Sequence, residues 1–302
     1  MRASDVSADA RVLHPVAALA SVVECYRIGS FVGPRGGQLV TVSPPTWQTE
    51  LVVSREPCME DHAPDGSRPL KPAAFFFGPM QSERGATLHT LPTGTRVASV
   101  SFRAGAGPAL FGVSAAEALD QVLDARALLA PGTREELDRI AEARTEDALR
   151  AALDATLLRL SLSAPLRARR GLGELSWWSG AVRVGLDVHA LARQSSLTTR
   201  QIERRFQDAL GMSPTRVRRI QRFRAAARAI VAAPQIALAR QAAIHGYADQ
   251  AHMTREFKEL SGVSPGRYAE KRERAFYLEA PIVSVHGPLA ETAEPGAAPL
   301  SG

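Results

Sequence analysis

Two stretches of the chain repeat one arrangement of apolar and polar positions. LTTRQIERRFQDALGMSPTRV, from Leu197, and ADQAHMTREFKELSGVSPGRY, from Ala248, align without gaps at an offset of 51 residues. Ile202 matches Met253, Arg204 matches Arg255, Phe206 matches Phe257, Gly211 matches Gly262, and Ser213 and Pro214 match Ser264 and Pro265. At 3.6 residues per turn, Ile202, Phe206 and Ala209 fall on one helical stripe, with Arg200, Glu203, Arg204 and Gln207 on the opposite one. The second copy puts Met253, Phe257 and Leu260 inward and Ala251, Thr254, Arg255 and Lys258 outward. Two copies are too few for a solenoid, so the pattern predicts paired supersecondary units within one domain.

The residues around each stripe supply the punctuation. Thr198 or Thr199 opens the first helix as a cap, Asp249 opens the second, and Gly211 suits the left-handed C-cap. Ser213 before Pro214 is the arrangement of a new helix with proline in its first turn. A shorter apolar segment precedes each helix, VHALARQSS in one case and ALARQAAIHGY in the other, with Gly246 as a turn glycine. Short helix, tight turn and a second helix exposing Arg and Gln make a helix-turn-helix, whose second helix enters the major groove. PTRVRRIQRFRAAARAIVAA then reads as a long helix joining the two units, with Val217, Ile220 and Phe223 apolar.

The N-terminal half follows other periods. QLVTV, TELVV, AAFFF and VASVSF are short β-like runs separated by PRGG, SPP, DGS and PTG, and Ala98 to Phe102 alternate as a half-buried strand does. SAAEALDQVLDARALL, TREELDRIAEA and TEDALRAALDATLLRL read as helices, with Ser114 and Thr133 as caps and Glu117 and Glu136 at capping-box spacing. The fold class expected is α+β: a small antiparallel β-sheet or cupin-like barrel with following helices, then an all-α domain with two helix-turn-helix units joined by a long helix. The expected boundaries are a disordered N-terminus over 1–12, an N-terminal domain over 13–164, a DNA-binding domain over 165–275 and a flexible tail over 276–302.

Charge sharpens this picture. The net charge is +6, but Arg183 to Arg274 holds 18 Lys and Arg against 8 Asp and Glu, while the rest of the chain is slightly acidic. A basic excess confined to one segment is the footprint of a surface that neutralises phosphates, and it also fits a solvated helical face. Arg205, Arg218, Arg219 and Arg222 stand open between those two roles. With 45% hydrophobic and 23% charged residues the chain has the composition of a globular protein. The run from Val16 to Val23 falls short of the roughly 20 residues a membrane span needs. The first residues lack the apolar core of a secretory signal, so a cytoplasmic location without membrane attachment is expected.

Other chemistry is sparse. Cys25 and Cys58 are the only cysteines, too few for a disulfide framework or a four-cysteine zinc site. Cys58 and His62 could share a helical face, yet PCMEDHAPDGS reads as a loop without further ligands, so neither metal nor cofactor is expected. His14 and His89 read as incidental. GAGP at Gly105 and GLGE at Gly171 lack the complete dinucleotide fingerprint. Trp177 and Trp178 read as core packing. Acidic neighbours of Cys58, namely Glu56, Glu60 and Asp61, would raise its pKa, which weighs against the alternative of a DNA-binding module fused to an enzyme with a nucleophilic thiol.

The segments LARQSSLTTRQIERRFQDALGMSP, RIQRFRAAARAI and GYADQAHMTREFKELSGVSPGRY resemble the DNA-binding domain of the AraC/XylS family of bacterial transcription regulators. The resemblance covers about a third of the chain. It implies a non-enzymatic regulator of transcription that reads successive major grooves of double-stranded DNA. The family's base-reading positions fall on Arg200, Glu203 and Arg204 in the first recognition helix, and on Gln250, Ala251, Thr254 and Arg255 in the second; Ala251 departs from the polar residue frequent there. Arg218 and Arg219 join these as DNA-binding candidates on the charge pattern alone, as phosphate contacts rather than base readers. FFFGP from Phe75 and SFRAGAG from Ser101 resemble segments of the cupin-like sensory domains that precede such units. That implies an unidentified small-molecule effector, a possible homodimer, and RNA polymerase as partner if the protein activates.

Overall fold

A computed structural model describes residues 7–32, 38–63, 65–81, 87–163, 180, 187–272 and 276–277. The N-terminal part contains two sheets. The strands are β1 (Ser7–Leu13), β2 (Val23–Val32), β3 (Gln38–Ser43), β4 (Glu50–Ser54), β5 (Glu60–Asp61), β6 (Ala74–Phe77), β7 (Thr87–Pro92), β8 (Arg96–Phe102), β9 (Val122–Asp124) and β10 (Phe276–Tyr277). One sheet runs β1-β2-β8-β4-β6-β9 and the other β10-β3-β7-β5. Helices α1 (Ala106–Phe111), α2 (Ala115–Ala118), α3 (Ala125–Leu128), α4 (Pro131–Glu142) and α5 (Glu146–Ser163) follow.

The larger sheet is buried on both faces. Ala98, Val100 and Phe102 of β8 join Tyr26, Leu51 and Phe76 in a core closed by Leu137, Leu153 and Leu157 from α4 and α5. On the other face Val52, Phe75, Phe77 and Val97 pack with Leu91 of the smaller sheet. The alternation from Ala98 to Phe102 therefore does not mark a half-buried strand: Ser99 is 2% and Ser101 1% exposed. Ser101 is tolerated there because it is bonded to Arg27 and Glu50, whereas the buried Ser99 hydroxyl has no hydrogen-bond partner among the described residues. The buried Arg27 guanidinium donates to Ser101 and, at 2.8 Å, to Glu50.

Several expectations change in this half. The segment expected as disordered over 1–12 includes β1, which pairs antiparallel with β2 from Ser7 to Leu13. Its partner is the next strand in the chain, reached through a helical turn at Ala17–Leu19 rather than a tight hairpin, so no turn motif announces the pairing. The tail expected to be flexible contributes β10, paired in parallel with β3 at Thr41 and Val42. SAAEALDQVLDARALL is not one helix. Ser114 does form a capping box with Glu117, but α2 ends by Leu119, β9 pairs with β6, and Asp124 then caps α3. Thr133 is no cap, because α4 already starts at Pro131 and buries Thr133 in its first turn. Proline at the first helical position sets the start there.

Gly78 of FFFGP and Gly107 of SFRAGAG are fixed by close approach. A Cβ on Gly78 would lie 1.7 Å from the Ala118 carbonyl oxygen, and one on Gly107 2.2 Å from Thr49 Oγ1. Neither site has room for any side chain, which is the physical content of both motifs.

His89 is anything but incidental. It is 1% exposed and lies between Asp61 and Ser43, with Nδ1 2.5 Å from Asp61 Oδ1 and Nε2 2.9 Å from Ser43 Oγ. The shorter contact places the proton on Nδ1, leaving Nε2 to accept from the serine hydroxyl. Lys71 Nζ is 2.8 Å from the same Asp61 oxygen and 4.2 Å from the centroid of the Phe77 ring. Burial lowers the Lys71 pKa to about 8 although Asp61 acts upward. Burial likewise lowers His89 to about 4, with Lys71 and His62 adding to it against the pull of Asp61. An imidazole titrating so low is a poor base at neutral pH. The arrangement is a polar tie between β5, β7 and the chain at Lys71. In the unfolded chain histidine takes up its proton near pH 6.5, whereas the folded protein resists until about 4. Stability is thus retained above pH 6.5 and lost as pH falls from 6.5 toward 4. Urea unfolding across that window should show a steeper loss for the native protein than for His89→Gln; equal slopes would contradict the assignment.

The C-terminal part is helical throughout its described residues up to Arg272: α6 (Val188–Ser195), α7 (Thr199–Leu210), α8 (Pro214–Ala232), α9 (Leu238–Ile244), α10 (Gln250–Ser261) and α11 (Pro265–Arg272). Trp177, Trp178 and GLGE at Gly171 lie outside the described residues. Among the described residues no helix is long and apolar enough to cross a membrane.

Candidate nucleic-acid interface

Each recognition helix is positioned by local sequence. Thr198 caps α7, its hydroxyl accepting from the Gln201 backbone N–H while the Gln201 side chain accepts from Thr198 N–H. Asp249 caps α10 by accepting from the His252 N–H at 2.6 Å. Gly211 and Gly262 end the two helices at φ +66 and +74, the left-handed region where glycine carries no Cβ penalty. Gly246 turns between α9 and α10 at φ +72.

Packing then decides which side faces out. Ile202, Phe206 and Leu210 of α7 are fully buried against Leu191, Val217 and Ile220. Met253, Phe257 and Leu260 of α10 are fully buried against Phe223, Ala227 and Ile230. The joining helix α8 thus serves two cores, its first half completing the first unit and its second half the other. Val217, Ile220 and Phe223 do not form one stripe toward a single partner.

On the opposite faces Arg200, Glu203 and Arg204 of α7 are exposed, as are Gln250, Ala251 and Arg255 of α10, while Thr254 is half-buried. Arg204 reaches only its own helix, 3.6 Å from Asp208. The structure brings each trio together on its own helix, and among the described residues the N-terminal part does not cover them. On α8 the two candidate arginines separate. Arg218 is exposed and has no ion pair among the described residues, whereas Arg219 lies 3.1 Å from Glu256 and 2.6 Å from Glu259.

Glu256 is the residue the sequence reading missed. It is 3% exposed, accepts from Arg219 and Arg222, and so pins α10 to α8. Arg222 also lies over the Tyr247 ring, 4.4 Å from its centroid, a cation–π contact at the turn before α10. Hydrogen bonding to Glu259 and Glu256 raises the Arg219 pKa, and Arg219 in turn holds the Glu259 carboxyl below its ordinary range. One signal was available: position 256 matches Arg205 in the repeat, so the two copies carry opposite charge there.

The first unit is also seated on the N-terminal part. Trp47, Ala104 and Leu119 contribute to its core, Arg216 donates to the Gln81 carbonyl at 2.7 Å, and Arg224 to that of Pro45 at 3.4 Å. A Cβ on Gly211 would stand 2.9 Å from the Ala115 carbonyl oxygen. The same glycine therefore ends α7 and admits α2.

Cys25 is buried and Cys58 half-buried, and both are free thiols. Burial pushes both thiols up, and for Cys58 that burial, rather than acidic neighbours, is the cause. His62 Nε2 lies 2.7 Å from Thr90 Oγ1, and no group of three or more metal-ligating side chains occurs among the described residues.

Residues 191–271 match the protein family described as a helix-turn-helix domain. Comparison with curated proteins gives no match. Among solved structures the chain is similar to ToxT from Vibrio cholerae O395, at a TM-score of 0.43 and 8% identity over 88% of this chain and 98% of that one. An apo form of ToxT from Vibrio cholerae strain SCE256 gives a TM-score of 0.42 and 9% identity over 88% and 97%.

Proposed function

We propose that this chain, which carries an AraC-type helix-turn-helix domain over residues 191–271, is a sequence-specific DNA-binding regulator of transcription. The observation that carries the reading is the pair of capped helices, α7 and α10, whose Arg-bearing faces are open while their apolar faces share the scaffold helix α8. Such helices place side chains against base edges in the major groove, where Arg pairs bidentately with guanine. Arg200, Glu203 and Arg204, and Gln250, Ala251, Thr254 and Arg255, are the reading positions of this proposal. The N-terminal domain is its regulatory part, through an effector or self-association, and the seating of Arg216 and Arg224 on that domain gives it a physical link to the first unit.

Selection of binding sites from random duplex DNA tests the reading: enrichment of a bipartite site is expected, and recovery of no preferred sequence would sink it. Backbone contact is tested on the same protein by salt titration. Each phosphate neutralised contributes about −0.9 to the slope of log affinity against log salt. Arg218→Ala is expected to reduce the slope by that amount and to weaken all sequences alike. Arg219→Ala should leave the slope near its native value and instead cost about 1 kcal/mol of stability, since its partners are carboxylates and it is partly solvated. The reverse pattern would reassign the two residues.

A further inference from the structure

We propose that the N-terminal domain is a structural component of the first DNA-reading unit, which depends on it for a complete core, whereas the second unit stands on a core of its own. The difference starts in the repeat. At the offset of 51 residues, Tyr268 of the second copy corresponds to Val217 of the first. Tyr268, 3% exposed, closes a trio of rings with Phe223 and Phe257, so that α8, α10 and α11 each contribute one aromatic to the second core. Among the described residues, Phe206 is the aromatic that the first unit's own helices contribute to the first core. The first unit is also short. The stretch from Val188 to Phe223 falls below the roughly 40 residues under which a lone core needs outside support, and Phe223 to Arg272 exceeds it.

The bulk that Val217 lacks comes from outside the unit. Trp47, in the chain between β3 and β4, packs against the core of Leu191, Ile202 and Phe206, joined by Leu119 just after α2 and by the buried Ala104 just before α1. Both α1 and α2 pack on α7, the first recognition helix. By contrast, the core of Met253, Phe257 and Leu260 takes no apolar side chain of the N-terminal domain among the described residues. Polar contacts follow the same asymmetry. Arg216 donates to the Gln81 carbonyl at 2.7 Å, yet it meets Glu259 of α10 only at 3.4 Å, where that carboxylate is half exposed. A solvated pair of that kind is weak. A change of state in the N-terminal domain is therefore conveyed to DNA through the placement of α7 rather than of α10.

Trp47 and Leu119 make the test selective, because both join the first unit's core and neither belongs to the two cores of the N-terminal domain. The measurement is hydrogen–deuterium exchange of the full-length protein without DNA, read by mass spectrometry. In Trp47→Ala combined with Leu119→Ala, peptides from α6 and α7 should exchange about tenfold or more faster, the loss expected on truncating two half-buried apolar side chains. Exchange in α10 and α11 and in β2, β4 and β8 should stay at native rates, the strands showing that the N-terminal fold is intact. Each single variant should give the same pattern at smaller size, which keeps the test decisive if the double variant fails to fold. Native rates in α6 and α7, or a rise that extends to α10 or to the strands, would overturn the proposal. Only the consequence for DNA rests on the regulator reading: site selection with the double variant should blur the patch read by Arg204 and keep the one read by Arg255. Absence of a preferred sequence for the native protein bears on that reading alone, since exchange is measured without DNA.

Discussion

Phe257→Ala is expected to destabilise the C-terminal part by about 3–5 kcal/mol, the range for truncating a buried aromatic ring. Phe257 is fully buried, with its ring 4.8 Å from that of Phe223 and 5.8 Å from that of Tyr268, and those two rings are 5.9 Å from each other. Each neighbour is held by the other, so the space left behind collapses poorly. The ring also joins α10 to α8, and its loss should release the second recognition helix before the first. Urea unfolding followed by circular dichroism measures the cost, with Phe257→Leu expected to lose much less. A loss under 1 kcal/mol for Phe257→Ala would mean that this core does not hold the second unit.

Replacing Arg204 or Arg255 by Ala is expected to cost about 1–3 kcal/mol of binding to the preferred DNA site and to relax specificity in one patch only. The two side chains occupy matched positions in the repeat and both are exposed. Arg204 faces Asp208 at 3.6 Å, with side chains 81% and 68% exposed. A solvated pair of that spacing is worth about 0.3–0.5 kcal/mol, less than one bidentate contact to guanine, so DNA outcompetes it. If both helices enter the groove, the two patches should lie about one helical turn apart on one face of the duplex. Site selection with each variant decides: an unchanged sequence preference for both, with normal folding, would show that the reading face lies elsewhere. The contrast with Arg218 is one of pattern, because phosphate contacts position the protein whereas base contacts specify.

The helix-turn-helix units were legible in the sequence because everything that defines them is local. Caps at Thr198, Asp249 and Ser213, terminators at Gly211 and Gly262, and the burial of Ile202, Phe206, Met253 and Phe257 follow from residues within a few turns of one another. The exposed arginine faces follow by elimination once the apolar stripe is buried. Tertiary structure alone decided the rest. It paired β1 with β2, buried the alternating serines of β8 between two sheets, and assembled Asp61, Lys71 and His89 from separate elements. It also divided Arg218 from Arg219, since Glu256 and Glu259 reach only one of them. The reason is common to all four: strand pairing and the desolvation of charge depend on groups brought together across tens of residues. A helix writes its period and its ends into contiguous sequence, whereas nothing near Arg219 or His89 in the chain records which carboxylate will face it.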